Sequence, residues 1–271
     1  MDSTHSKTVL FVTGAFVSNS CWDNWIDYFE SKGYNAYAPP WPNKDASAAE
    51  LRRRHPDREL GLLTLEEVVK SYADFAKSLP EKPIIIGHSM GGLITQLLVQ
   101  QNLGVAAVAY HSVPPQGVLS FEFSFLKSLT PPLGLFKSKK KPYLMSFKHW
   151  QYTFTNGLPL EEQKAAYEAV TIPESRKALW GALSKAAKIK FKKPHVPLLF
   201  ISGSTDHIMP ASLNKKNAKR YKDPNSIVEY KEFEGRNHFA GGLDTWQEEA
   251  DFILIWLNKI GVSSLFVNSE Y

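Results

Sequence analysis

The sequence predicts an α/β fold built on a mostly parallel, doubly wound sheet of about six strands. Short apolar runs rich in β-branched residues alternate with longer amphipathic stretches along most of the 271 residues. Most of these runs are continuously apolar, which is typical of parallel strands buried on both faces. Hydrophobic residues make up 43% of the chain and charged residues 22%, a composition that excludes general disorder.

Six apolar runs are predicted as strands and five amphipathic stretches as helices. The predicted strands are Thr8–Thr13, Asn35–Ala38, Pro83–Gly87, Val105–Tyr110, Leu198–Ser202 and Ile227–Phe233. The predicted helices are Trp22–Lys32, Thr64–Ser78, Met90–Gln101, Ala211–Tyr221 and Thr245–Ile260. Thr64 and Glu67 have the spacing of a capping box, which marks the start of the second helix.

The alternation of strands and helices stops after the fourth strand. From there to about residue 195 no buried strand is evident, and Pro-Pro pairs at 114–115 and 131–132 interrupt the chain. Two later stretches have helical periodicity, Leu160–Ala169 and Glu174–Ala187. We therefore predict a mainly helical insertion at 114–195 within one core that residues 1–113 and 196–271 form.

The net charge of +5 is unevenly distributed along the chain. Residues 114–196 contain 14 basic and 5 acidic residues, whereas the rest of the chain is mildly acidic. A lysine-rich solvated surface is the plainest interpretation, and attraction of an anionic substrate or an acidic membrane surface is the alternative. No recognised nucleic-acid module accompanies the charge, so we expect no nucleic-acid partner.

The single cysteine, Cys21, excludes an internal disulfide and a multi-cysteine zinc site, which fits a reducing, cytoplasmic location. The apolar run from Thr8 to Val17 could pass for a signal segment, but no clear cleavage site follows it. We therefore favour a buried strand there. No apolar run approaches 18 residues, so no integral membrane segment is expected. The sequence does not indicate an oligomeric state.

The strongest local motif is Gly87-His88-Ser89-Met90-Gly91, between an apolar strand and a helix. This is a nucleophile elbow, G-x-S-x-G, in the strand–turn–helix context that it requires. The sharp turn strains the serine backbone and needs small residues two positions before and after it, as Gly87 and Gly91 are. Ser89 would then project above the carboxyl edge of the sheet. There the helix N-terminus and the N–H of Met90 can stabilise a developing oxyanion.

A serine hydroxyl needs a general base, and the base needs an orienting group. Asp206 follows one predicted strand and His238 follows the next, at the same edge of the sheet as Ser89. The chain order Ser, Asp, His is the order found with this elbow. His207, next to Asp206, is a less favoured alternative base. The histidines show no H-E-x-x-H and no paired Cys/His spacing, so we expect no metal site.

These motifs make the chain resemble the α/β-hydrolases from Thr8 to about Ile260. The matching segments are Gly87–Gly92, Gly203–Asp206 and Gly235–His238. The insertion follows the family's sixth strand, where this family carries a helical cap. The resemblance implies a cap at 114–195 and a catalytic triad of Ser89, Asp206 and His238. Some members place the acid after the sixth strand, but Tyr110-His111-Ser112 has no carboxylate, which favours Asp206.

The resemblance also implies an oxyanion hole made of two backbone N–H groups. One belongs to Met90, and the other to the loop after the first strand, where Ala15 matches the donor and Phe16 is the next candidate. Thr13 stands where the family usually has histidine, so different hydrogen bonds must support this loop. His88, in the elbow, and Trp150, one of many aromatic residues in the insertion, are candidate pocket side chains with Phe16.

A serine at the elbow favours acyl chemistry over the epoxide and halide reactions for which the family uses aspartate. We expect a cofactor-free serine hydrolase that cleaves an ester, lactone or thioester through an acyl-enzyme. The substrate would be a small molecule with a hydrophobic acyl group, with an anionic compound as the alternative. Acyl transfer, perhydrolysis or lyase chemistry, and a receptor built on the same scaffold, stay open.

Overall fold

A computed structural model describes residues 5–262 of the chain. Six strands form one sheet: β1 (Thr8–Val12), β2 (Asn35–Tyr37), β3 (Ile84–His88), β4 (Ala106–Tyr110), β5 (Leu198–Gly203) and β6 (Val228–Phe233). All neighbouring pairs are parallel, in the order β2-β1-β3-β4-β5-β6. The predicted fold class, a parallel α/β sheet of about six strands, is therefore confirmed.

The described residues contain eleven α-helices. They are α1 (Asp23–Ser31), α2 (Ala48–Arg53), α3 (Arg58–Leu62), α4 (Leu65–Ser78), α5 (Met90–Gln100), α6 (Phe123–Leu133), α7 (Phe147–Thr153), α8 (Leu160–Val170), α9 (Arg176–Gly181), α10 (Ala211–Ala218) and α11 (Trp246–Lys259). The capping box of α4 forms as predicted, because the Thr64 and Glu67 side chains each accept a hydrogen bond from the other's backbone N–H. None of these helices is long and apolar enough to cross a membrane.

Strands β1, β3, β4 and β5 are buried on both faces because helices pack on either side of the sheet, whereas the edge strands β2 and β6 are partly exposed. Val9 and Phe11 of β1 lie in one apolar cluster with residues of α1 and α11. Leu10 and Val12 point to the opposite face and lie in a second cluster with residues of α4 and α5. This arrangement explains the continuously apolar strand sequences, since successive side chains of a strand enter different halves of the core.

The chain order along the sheet changes direction between β1 and β3. In doubly wound sheets, the crevice beyond the carboxyl ends of two such strands is the usual place for a ligand. The loop after β1 and the turn after β3 therefore meet at the position where this topology favours a site.

The segment between β4 and β5 contains α6, α7, α8 and α9. No helix is predicted from the sequence at the second Pro-Pro pair, but Pro131 and Pro132 lie inside the last turn of α6. Pro132 has no N–H for the Ser128 carbonyl, and Nε2 of His149 donates a hydrogen bond to that carbonyl instead, at 2.9 Å. The Pro-Pro pair therefore ends a helix rather than excluding one.

The single helix predicted at Glu174–Ala187 is two elements. Helix α9 ends at Gly181, and a 3₁₀ turn follows at Lys185–Ala187. Ser184 separates the two, because its side chain accepts a hydrogen bond from the Ala186 N–H and so starts a new turn. Helices α2 and α3 were not predicted, because six and five residues are too few to show helical periodicity.

Candidate active site

The turn after β3 holds Ser89 in a strained backbone conformation. Its φ is 58° and its ψ is −119°, a region that residues other than glycine rarely adopt. The turn also needs glycine on both sides. A Cβ on Gly87 would lie 2.2 Å from the Gly91 carbonyl oxygen, and a Cβ on Gly91 would lie 1.9 Å from that of Val12. The motif therefore fixes Ser89 at the start of α5, beyond the end of β3.

Ser89, His238 and Asp206 form one continuous hydrogen-bonded chain. The Ser89 hydroxyl lies 2.9 Å from Nε2 of His238, and Nδ1 of His238 donates to Oδ2 of Asp206 at 2.6 Å. Both the aspartate and the histidine are on loops that directly follow β5 and β6, as the sequence predicts. Because Asp206 accepts the Nδ1 proton, the Nε2 lone pair of His238 faces the Ser89 hydroxyl.

The charge states of this chain follow from burial and hydrogen bonding. Burial lowers the pKa of His238 below 6.5, and the attraction of Asp206 offsets only part of that effect, so the imidazole is neutral near pH 7. Burial alone would raise the pKa of Asp206. The nearby His238 and His111 reverse this effect and hold the pKa of that carboxyl well below its usual range. A neutral base beside an ionised carboxylate is the arrangement that can remove a serine proton.

Two backbone N–H groups near Ser89 are available to a ligand. Among the described residues, nothing accepts a hydrogen bond from the N–H of Met90 or of Ala15. Both residues line the same cavity as Ser89. The other predicted donor is occupied, because the N–H of Phe16 donates to the Glu174 carboxylate at 3.1 Å.

A cavity of about 610 Å³, including its open mouth, lies above Ser89. Apart from Ser89, every side chain that lines it is apolar, among them Phe125, Leu129, Phe154, Leu179 and Ile208. No lysine or arginine among the described residues lines this cavity, so an anionic group of a ligand would have to stay outside it.

The three predicted pocket side chains have different positions. Phe16 lines the cavity. Trp150 does not; it is fully buried and stacks on Phe154, which is itself one of the residues that line the cavity. His88 lies on the other side of His238, where its Nε2 donates to the His238 backbone carbonyl at 2.9 Å. Trp150 and His88 are thus placed to support the site from behind rather than to contact a ligand in this cavity.

Comparison of the sequence with models of known protein families points to the same fold. A sequence model of the alpha/beta hydrolase family matches residues 9–251, which is most of the chain. The chain belongs to the alpha/beta hydrolase family. This membership supports a hydrolase activity. A comparison with curated protein sequences finds no match.

Solved structures of other α/β-hydrolases share the fold. An extracellular alpha/beta-hydrolase from a Paenibacillus species has a TM-score of 0.69 and 19% identity, over 92% of this chain and 98% of that one. A methylesterase from Arabidopsis has a TM-score of 0.67 and 15% identity, over 93% of this chain and 99% of that one. A monoacylglycerol lipase from Paleococcus ferrophilus has a TM-score of 0.66 and 18% identity, over 95% of this chain and 96% of that one. At these identities the likeness shows the architecture alone.

A second buried histidine, which no sequence motif indicated, also contacts Asp206 of this α/β-hydrolase. Nδ1 of His111 donates to Oδ2 of Asp206 at 2.7 Å, the same oxygen that accepts from His238. Burial opposes a charge on His111, but its hydrogen bond to Asp206 and the Glu249 carboxylate 4.0 Å away raise its pKa to about 9. The two carboxyl groups therefore favour the protonated form of His111.

Asp206, His111 and His238 could in principle offer three metal ligands, since one atom of each lies within 4.8 Å of the others. Both imidazole Nδ1 atoms, however, donate to Oδ2 of Asp206. These hydrogen bonds use the atoms that a shared metal would need. The geometry therefore fits a hydrogen-bonded network better than a metal centre.

A buried ion pair also holds the loop after β1, where Thr13 replaces the family's usual histidine. Oε2 of Glu174 accepts from the Phe16 N–H and from Nζ of Lys44, the latter at 2.5 Å. Both side chains of the pair are almost completely buried. The Ile172 N–H donates to the Phe16 carbonyl at 2.9 Å and so ties the loop to the same segment. Lys44 and Glu174 are 130 residues apart in sequence, so no sequence motif could have indicated their contact.

Proposed function

We propose that this α/β-hydrolase is a serine hydrolase that cleaves a carboxylic ester, or a related acyl compound, through an acyl-enzyme. The observation that carries the proposal is the Ser89–His238–Asp206 hydrogen-bonded chain at the floor of an apolar cavity. Its geometry meets the requirement that a nucleophile, its base and the orienting group all lie within hydrogen-bonding distance.

In the first half of the reaction, Ser89 Oγ attacks the acyl carbon and His238 Nε2 takes the hydroxyl proton. The carbonyl oxygen becomes an oxyanion, to which the N–H groups of Met90 and Ala15 donate. The bond between the acyl carbon and the alcohol oxygen then breaks, and His238 gives its proton to the leaving alcohol. Asp206 keeps the protonated imidazole in place and stabilises its charge.

In the second half, water attacks the acyl-enzyme. His238 takes a proton from that water, the tetrahedral oxyanion forms again, and the bond to Ser89 Oγ breaks. His238 returns the proton to Ser89, and the carboxylic acid leaves. No residue in this sequence of steps requires a cofactor.

The segment 114–195 acts, in our proposal, as a cap that makes the cavity apolar. Helices α6 and α9 supply Phe125, Leu129 and Leu179 to its walls, opposite Ser89 and Met90. A cavity of this composition suits a hydrophobic acyl group and leaves only the ester carbonyl to polar partners.

The first test is a series of p-nitrophenyl esters from acetate to hexanoate. Each methylene buried in the cavity contributes about 0.8 kcal/mol, so kcat/KM should rise about fourfold per added methylene until the cavity is full. The Ser89→Ala variant provides the background rate of the same esters. Preference for acetate would contradict the apolar acyl site, and tight binding without turnover would favour a receptor.

Loss of the Glu174 charge should lower turnover although Glu174 is not in the triad. In Glu174→Gln, buried Lys44 loses the carboxylate that offsets the effect of burial on its pKa, and the loop that carries Ala15 loses the charged acceptor of the Phe16 N–H. Because one oxyanion donor is worth about 100- to 1000-fold, we expect kcat to fall about 10- to 100-fold with KM little changed. The measurement is steady-state kinetics on p-nitrophenyl butyrate.

Glu168→Gln is the matched control for this prediction. Glu168 is also in the cap segment and pairs with Arg52, but its side chain is 71% exposed. An exposed ion pair contributes little, so this variant should retain the wild-type kcat. Thermal unfolding of both variants separates a displaced loop from a lost fold. A folded Glu174→Gln enzyme with wild-type kcat would show that the pair does not position the loop.

A further inference from the structure

A second, larger apolar groove adjoins the cavity above Ser89. It encloses about 990 Å³, including its open side, and no charged side chain lines it among the described residues. Several of its side chains are large, apolar and exposed: Leu119, Phe121, Leu126, Leu135 and Leu183. Phe121 is 82% exposed, an unusual position for an aromatic side chain unless something covers it.

The groove and the cavity share walls. Phe125, Leu129 and Leu133 of α6, with Leu183 after α9, line both spaces. The residues that the two spaces share are all apolar, so an apolar chain that passes from the groove to the space above Ser89 would meet no polar side chain there. The groove is consequently placed as an approach to the candidate active site and not as a separate site.

A run of lysines follows the groove residue Leu135 along the chain, in the loop after α6. Phe136, next to Leu135, is fully exposed, and Lys137, Lys139, Lys140 and Lys141 follow it, all exposed. None of these four lysines forms an ion pair with a carboxylate in the part of the chain that the structure describes. We call Leu119, Phe121, Leu126, Leu135, Phe136, Leu183 and these four lysines the docking face.

We propose that the docking face binds an anionic lipid bilayer, and that the acyl chain of a lipid ester passes through the groove to Ser89. The substrate class rests on the proposed function, whereas the docking does not. Exposed apolar side chains beside lysines that have no carboxylate partner are the combination that enters the interface of an acidic bilayer. A two-fold contact with a second copy would instead place the same lysines against each other, at a cost.

Vesicle sedimentation tests the docking without any turnover. The Ser89→Ala protein is mixed with phosphatidylcholine vesicles, or with vesicles that also contain phosphatidylglycerol, at low and high salt. We expect binding to the phosphatidylglycerol vesicles that weakens at high salt. Each lysine near such a surface contributes about a fivefold gain in partitioning, so Lys137→Glu with Lys140→Glu should lose at least about 25-fold. Phe136→Ser should lose about fivefold or more.

The matched controls carry the same substitutions elsewhere on the surface. Lys7→Glu with Lys82→Glu changes two exposed lysines that precede β1 and β3, at the sheet edge opposite Ser89. Ile255→Ser changes an apolar side chain that is 65% exposed on α11. Both controls should bind vesicles like the Ser89→Ala parent, because neither position lies on the docking face.

Turnover of p-nitrophenyl butyrate, with Ser89 intact, separates this proposal from the proposed function. The substituted residues do not line the cavity, so each variant should hydrolyse this water-soluble ester at the wild-type rate. Absence of binding to anionic vesicles, or equal losses in the docking-face and control variants, would overturn the docking even if the ester is hydrolysed. Dimerisation that Phe136→Ser abolishes, without vesicle binding, would assign the face to a second copy instead.

Discussion

Ser89→Ala should lower kcat by about 10⁴- to 10⁶-fold while the protein stays folded. The variant keeps the cavity, the N–H groups of Met90 and Ala15, and the His238–Asp206 hydrogen bond, but no atom remains that can form the acyl-enzyme. The expected loss is large because residues of a triad act as a unit, so the remaining members cannot compensate. Steady-state hydrolysis of p-nitrophenyl butyrate measures the effect, and circular dichroism checks the fold.

Ser202→Ala is the control for this substitution. Ser202 is buried on β5, and its hydroxyl contacts the Tyr230 hydroxyl at 2.7 Å, away from the triad. Loss of that hydroxyl should change kcat by less than about twofold, since Ser202 touches neither the cavity nor the triad. If Ser89→Ala retained near-wild-type turnover, the acyl-enzyme mechanism would be wrong, whatever the control showed.

Asp206→Asn should cost about 10³- to 10⁴-fold in kcat. The carboxylate accepts four hydrogen bonds: Oδ2 from His111 and His238, and Oδ1 from the N–H groups of Ile208 and Met209. An amide has only one oxygen, so its NH₂ group must face either the two rings or the two backbone donors. Facing the rings, it would force His238 into the tautomer that cannot accept the Ser89 proton.

The pH profile tests the electrostatic part of the same prediction. In the wild type, kcat/KM should be constant above neutrality and fall as the pH drops through the lowered pKa of His238, because the protonated ring cannot act as a base. The Asp206 charge raises that pKa, so in Asp206→Asn the pKa decreases further. The acid limb of the residual activity should therefore move to lower pH.

Asp251→Asn is the matched control for both measurements. Asp251 lies on α11 and its carboxylate accepts a hydrogen bond from the Tyr28 hydroxyl at the surface. The kcat and the pH profile of the Asp251→Asn variant should equal those of the wild type. An acid limb that stays in place in Asp206→Asn would show that Asp206 does not set the pKa of His238.

The grouping of Ser89, Asp206 and His238 could be expected from sequence because each residue follows a strand of the sheet. Ser89 and Asp206 follow buried apolar strands, His238 follows the partly exposed strand β6, and parallel strands bring their carboxyl ends to one edge. The glycines around Ser89 added a local signal, because no other residue fits the close contacts of the elbow. Order along the chain was thus enough to place these three side chains together.

The surroundings of the triad depend on long-range pairing that leaves no local pattern. His111 meets Asp206 across 95 residues, and Lys44 meets Glu174 across 130. Each pair consists of ordinary residue types whose side chains are buried together only in the folded chain. The same reason explains Trp150: an aromatic residue of this segment could line the pocket, although the core was the favoured place, and its stacking on Phe154 puts it in the core.

The basic character of 114–196 also became interpretable only with the fold. From the sequence alone, the excess of basic residues favoured a solvated surface over a site for an anionic substrate or a membrane. The cavity contains no cationic side chain among the described residues, so the lysines cannot recognise an anionic group beside Ser89. The cluster at Lys137–Lys141 instead borders exposed apolar side chains, which is the basis of the docking proposal.

The most direct test of the central claim is covalent labelling with a fluorophosphonate probe, followed by mass spectrometry of the adduct. The account predicts one phosphonylated residue, Ser89, and labelling that His238→Ala reduces strongly and Ser202→Ala leaves unchanged. Such a result would establish a serine that its histidine activates. Labelling that maps to another residue, or that persists in Ser89→Ala, would contradict the assignment of Ser89 as the nucleophile.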